Sequence, residues 1–313
     1  MDQTSLGEHS VQDSREPNEF LAQYHVISNK LKKRFLRKPN VTEAAEQFAS
    51  LALHCEQEEL WQYAGQSWLA VARCHRTLGN TSSEINELLK AGRQFLIAEE
   101  RNKSIGCPSV GQENLQAAVS CFGHSVASSQ TEPGFDVTSA GSVIELALAL
   151  GPTPAGAQQL RKSISILPTC LAIGTLVSYY IEQGDHSAAL NVITELVDLV
   201  EANVGSGATG NYRKLLHKCE VNRVLLLLIL QPTPQRLSPA LAEVLEKYAW
   251  VEESSSAGAG MCEDEFLLLQ SLVLACQSHD FQALLELEGE LWPYIDTEQK
   301  DLLRKLVETL TSQ

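Results

Sequence analysis

The stretch "WLAVARCHRTLGNTSSEINELLKAGRQF", Trp68 to Phe95, reads as two helices around a turn. Small and apolar residues fill the first half, Gly79-Asn80 interrupts it, and the second half carries Ala and Leu where the two helices come closest. The same plan returns in "GTLVSYYIEQGDHSAALNVITELVDLV", Gly174 to Val200, with Gly184-Asp185 at the turn. A third version, "SLVLACQSHDFQALLELEGELWP", Ser271 to Pro293, turns at His279-Asp280.

Gly79 and Gly184 lie 105 residues apart, close to three periods of a tetratricopeptide-type helical hairpin of about 34 residues. The repeat is degenerate, because the Trp, Gly, Tyr and Pro of the full pattern never occur together. Helical periodicity nevertheless runs through almost the whole chain. It places helices at 17–37, 41–56, 58–78, 82–101, 111–128, 136–150, 153–163, 166–183, 186–203, 209–230, 238–250, 262–278, 280–291 and 296–311. Short loops between them make neighbours antiparallel. The expected fold is all-α, a tetratricopeptide-like or attachment-protein-like α-solenoid of about 14 antiparallel helices. A tail over 1–16 precedes one helical-repeat domain over 17–313, with flexible linkers near 205–210 and 251–261. In "CEVNRVLLLLILQP" the residues from Val224 to Leu230 are apolar on every side, so that helix must be buried all round.

The chain has 313 residues and a net charge of -15. That balance argues against general nucleic-acid binding, which needs a positive surface to displace counterions from phosphate. The residues before Pro17 are polar and acidic and do not read as a secretory signal or a transit peptide. The longest apolar run has seven residues, against about 20 for a membrane span, so stable membrane insertion is not expected. Eight scattered cysteines without a C-x-x-C pair read as free thiols of a cytoplasmic protein.

Charge is distributed unevenly. "SNKLKKRFLRKPNV", Ser28 to Val41, holds six cations in nine positions: Lys30, Lys32, Lys33, Arg34, Arg37 and Lys38. They flank an apolar stripe of Phe20, Tyr24, Ile27, Leu31 and Phe35, so the run is the solvated side of the first helix, stopped at Pro39. From Leu241 to Gln313, 15 acids face four Lys and Arg, a net of -11. Such a surface either solubilises the chain or docks a basic partner. The candidate partner-binding residues are Lys30, Lys32, Lys33, Arg34, Arg37 and Lys38 at the basic end and Glu243, Glu246, Glu286, Glu288 and Glu290 at the acidic end.

No motif assembles an active site: G-x-x-x-x-G-K-[ST], G-x-G-x-x-G after a strand, H-E-x-x-H and G-x-S-x-G are all missing. No catalysis and no cofactor are expected. His54-Cys55 and Cys74-His75 hold two Cys and two His on consecutive helices, but adjacent helical residues diverge by about 100°, so one metal ion is poorly served by both pairs.

Several blocks closely resemble the forty-kilodalton huntingtin-associated protein family. They are "FLAQYHVISNKLKKRFLRKPNVTEAAEQF" from Phe20, "CEVNRVLLLLILQPTP" from Cys219, "LEKYAW" from Leu245, "EFLLLQSLV" from Glu265 and "LWPYIDTEQKDLL" from Leu291. The resemblance implies a non-catalytic helical solenoid that binds huntingtin stoichiometrically, bridging and stabilising its helical-repeat regions. It also implies a link to early endosomes and to the small GTPase Rab5, in a cytoplasmic protein with room for a nuclear pool. A second reading is an attachment-protein-like adaptor in vesicle trafficking, independent of huntingtin. The chain departs from the mammalian pattern at "GSGATG", Gly205 to Gly210, where those members carry a long proline-rich insert, and in a tail that is not Ala/Gly-rich. Both departures point to a distant, non-mammalian relative. The middle, 106–159, resembles the family least.

Overall fold

The computed structural model describes residues 16–32, 39–107, 110–130, 134–204, 211–233, 237–249 and 261–311. The tail, most of the basic run and both expected linkers lie largely outside these residues. Among the described residues the chain forms fourteen α-helices and no strand. Contacts divide it into two compact units, Met1–Leu167 and Pro168–Gln313. The first holds α1 (Glu16–Leu31), α2 (Val41–Gln57), α3 (Trp61–Leu78), α4 (Thr81–Ser104), α5 (Glu113–Ser129), α6 (Asp136–Leu150) and α7 (Pro154–Ile166). The second holds α8 (Cys170–Glu182), α9 (His186–Val204), α10 (Asn211–Leu230), α11 (Pro239–Ala249), α12 (Glu263–Ser278), α13 (Phe281–Leu291) and α14 (Thr297–Thr311).

Within each unit every helix packs against the next, as in an α-solenoid, and in the second unit α14 also returns to α10. Five hairpin turns close alike. At Glu59, Gly79, Gly106, Gly184 and His279 the backbone adopts positive φ, between 55° and 76°. That residue donates its N–H to the carbonyl three residues back, and its successor donates to the carbonyl five back; Gly79 to Arg76 and Asn80 to His75 are one instance. This left-handed closure satisfies carbonyls that the helix end would leave bare, and Gly79 and Gly184 adopt it without a Cβ penalty. After the turn, Asp185 and Asp280 accept the N–H of Ala188 and Ala283 at 3.0 and 3.1 Å, capping α9 and α13. The three turns read from sequence thus share one hydrogen-bond pattern.

Two helix ends depart most from their expected positions. α1 stops at Leu31, with Lys32 in a bend. Leu31 is the last described residue of its apolar stripe, and the rest of the expected span, 33–37, lies outside the described residues. α8 begins at Cys170 because Pro168 holds Leu167 in extended geometry (φ -150°) and Thr169 caps the first turn by accepting from the Ala172 N–H.

The first core is built on glycines that admit aromatic rings. A Cβ at Gly65 on α3 would meet Phe95 of α4 at 3.0 Å, and one at Gly92 on α4 would meet Phe122 of α5 at 2.9 Å. The same pairing thus recurs 27 residues later. Phe20 and Tyr24 carry α1 onto this core, 4.5 Å from Tyr63 and 5.0 Å from Phe48 between ring centres. In the second unit α10 contacts α9, α11 and α14, and Val221 to Leu228 are buried without interruption. Val224 to Leu228 of the all-apolar run are buried as the sequence demands, and Ile229 and Leu230 at its end are half-buried.

Candidate interaction surface

The basic end begins with a cation already engaged. Lys30 Nζ donates to Glu43 Oε1 at 3.0 Å and to Gln47 Oε1 at 2.8 Å, tying α1 to α2. Asn40 and Gln47 add amide donors to the same carboxylate at 3.0 and 3.1 Å. The Lys30 hydrogen bond and charge hold the Glu43 carboxyl below its ordinary range. Lys30 is therefore part of a hairpin clamp. Lys32 is exposed beyond the end of α1, while Lys33, Arg34, Arg37 and Lys38 lie outside the described residues. Beside the clamp, α1 and α2 enclose a groove of about 500 Å³, lined mainly by Ala22, Val26, Ile27, Leu51 and His54.

The acidic residues fall on two helices. Glu243 and Glu246 are exposed on α11. On α13, Glu286 and Glu290 are exposed and Glu288 is half-buried, and Glu286 accepts a hydrogen bond from Gln282 at 3.1 Å. Both helices pack against α12.

Part of the acidic surplus is neutralised inside the second unit, in a network the sequence reading did not identify. His217 Nε2 lies 2.8 Å from Glu265 Oε1, linking α10 to α12. Glu220 accepts from Lys247 Nζ at 2.9 Å and Tyr248 Oη at 3.3 Å, linking α10 to α11, with Arg223 at 4.0 Å. Lys218 meets Asp296 and Glu298 at 2.9 and 2.8 Å, linking α10 to the start of α14. The hydrogen bond that His217 donates to Glu265 raises the His217 pKa against the opposing effect of burial, and burial, reinforced by Glu220, raises that of Tyr248. The signal was present in "HKCEVNR", His217 to Arg223. Charges that lead into a buried helical run need partners, because an unpaired buried charge costs several kcal/mol or more.

The two Cys-His pairs separate as helical geometry requires. Cys55 and Cys74 are buried in the first core, whereas His54 is exposed and His75 half-buried. Burial pushes the Cys55 thiol up to about 11. Among the described residues no three His, Cys, Asp or Glu side chains gather as a metal site, and no helix is long and apolar enough to cross a membrane.

Stacked antiparallel helices in both units, fixed by repeated turns and buried ion pairs, define a helical-repeat protein of the α-solenoid type. No family model matches the chain. It is 34% identical to the 40-kDa huntingtin-associated protein of Rattus norvegicus over 99% of this chain and 97% of the rat protein. It is also 34% identical to the Mus musculus protein of the same name, over 95% and 94%. The rat alignment spans 371 positions against 313 residues here, so the rat protein contains residues without a counterpart in this chain. The chain belongs to the family of the 40-kDa huntingtin-associated protein.

Proposed function

We propose that this chain is a non-enzymatic scaffold that binds huntingtin as a stoichiometric partner, bridging and stabilising its helical-repeat regions. The observation that carries this reading is likeness along nearly the whole chain to proteins named for their association with huntingtin. The structure supports it physically: stacked hairpins present long exposed faces, and charge is segregated between the basic run near Lys30 and the acidic helices from α11 onward. Through that complex the chain acts in early-endosome trafficking, in contact with the GTPase Rab5, as a cytoplasmic protein.

The test is equilibrium binding of the purified full chain to huntingtin of the same species. Saturation at one chain per huntingtin supports the proposal. Absence of binding, together with stimulation of an ATPase in a reconstituted membrane-fusion assay, would replace it with the attachment-protein-like adaptor.

A further inference from the structure

We propose that the outer face of the α12–α13 hairpin is a docking surface for a basic amphipathic helix of a protein partner, an inference that deepens the scaffold reading and rests on it. On α12, Leu267 and Leu274 are 50% and 42% exposed. They stand seven residues apart, two helical turns, and so share one side. On α13, Phe281 and Leu285 are 41% and 53% exposed, and Trp292 at its end is 38% exposed. Their spacings of four and seven also define one side. Isolated exposed leucines are ordinary on a protein surface. Five of the eight exposed large apolar side chains described in the second unit lie on this hairpin or at its end, the others being Leu171, Tyr212 and Tyr294, while the exposed positions of α14 are Asp301, Arg304, Lys305, Glu308 and other polar residues, and α11 exposes Pro239, Ala240, Glu243 and Glu246.

Charge identifies the occupant. From Glu263 to Leu291 there are seven Asp and Glu and no Lys or Arg. Glu265 is engaged with His217, but Glu263, Asp264, Glu286 and Glu290 are exposed. Glu288 falls on the same side of α13 as Phe281 and Leu285, and Glu263 on the same side of α12 as Leu267 and Leu274, whereas Glu286 and Glu290 are turned about 100° or more from that side of α13. A face of this kind repels anionic lipid, and a second copy would set acids against acids. Its complement is a helix with apolar residues at i, i+3, i+4 and i+7 flanked by Lys and Arg. The surface ends where Lys300 and Arg304 of α14 stand 5.2 and 5.5 Å from the Trp292 ring. The α11 carboxylates Glu243 and Glu246 have no exposed large apolar side chain beside them on their helix, and the inference assigns them no role.

The experiment titrates the full chain with a 20-residue (~30 Å) amphipathic helical peptide of Leu and Lys and with its Leu and Glu counterpart. The readout is binding affinity and hydrogen-exchange protection. The expected result is protection centred on 263–291 by the Leu-Lys peptide alone. Both Leu267→Ser/Leu285→Ser and Glu263→Lys/Glu288→Lys should bind it about tenfold or more weakly, and Glu243→Lys/Glu246→Lys should bind it as the parent does. Protection elsewhere, or equal binding by all variants that retain the parent's thermal unfolding, overturns the inference. A parent chain that fails to bind huntingtin while its peptide footprint stays on 263–291 overturns the scaffold reading and leaves the surface standing.

Discussion

Replacing Gly92 with Ala sets two known effects against each other at one atom. In a helix interior, Ala is more favourable than Gly by about 1 kcal/mol. The added methyl, however, would lie 2.9 Å from Phe122 Cε2, 3.0 Å from Cδ2 and 3.4 Å from Cys121 Cβ. Phe122 and Cys121 are each only 1% exposed, so the ring has no solvent side to move into. Overpacking a closed core costs about 1–3 kcal/mol, which leaves a net loss of about 1 kcal/mol for Gly92→Ala. Gly123 on α5 is the control, since it is exposed and a Cβ there meets nothing within 4 Å. Gly123→Ala should therefore stabilise by about 1 kcal/mol. The same substitution on adjacent helices then differs in sign, with a separation of about 2 kcal/mol, or about 4–8 °C in Tm for a unit of this size. Urea and thermal unfolding of the two variants measure it. If Gly92→Ala stabilises as much as Gly123→Ala, the glycine-aromatic account of the first core is wrong.

The second unit offers a pH test. The His217 pKa is raised by its hydrogen bond to Glu265, so the pair's contribution is complete below the unfolded imidazole value of about 6.5 and disappears as pH rises through the folded one. The stability difference between parent and His217→Gln should shrink from pH 5.5 to pH 8.5 in denaturant titrations; a constant difference would remove the charged pair from the account. His279 holds a left-handed conformation that favours glycine, at φ 55°, so His279→Gly should raise stability by about 1 kcal/mol in the same assay. Burial lifts the Cys121, Cys219 and Cys276 thiols, like that of Cys55, to about 11, whereas Cys107 and Cys262 are exposed. Alkylation of the native chain followed by mass mapping should modify Cys107 and Cys262 first, and rapid labelling of Cys121 would contradict the packing described.

Local chemistry made the helices legible. Gly79, Gly184 and His279-Asp280 punctuate long periodic segments, and the helix they close is decided within a few residues of each turn. The burial at the centre of α10 was equally visible, since the apolar run from Val224 leaves no side for water and Val224 to Leu228 are buried. What the sequence concealed is non-local. Lys30 looked like one cation of a solvated run, but its partner Glu43 is 13 residues away on the next helix. His217 and Glu265 meet across 48 residues. "EFLLLQSLV" contains five leucine and valine residues, and only their neighbours decide that Leu267 faces water while Leu269, Leu272 and Val273 are buried. The acidic face was legible as composition, but the separation of a solvated α11 from an apolar and acidic α12–α13 hairpin required coordinates.

The central claim is that this chain is a stoichiometric partner of huntingtin. Co-expression with the huntingtin of its own species, followed by size-exclusion chromatography with mass detection, tests it most directly. The account predicts a single species containing one copy of each chain. Separate elution of two well-folded proteins would contradict it.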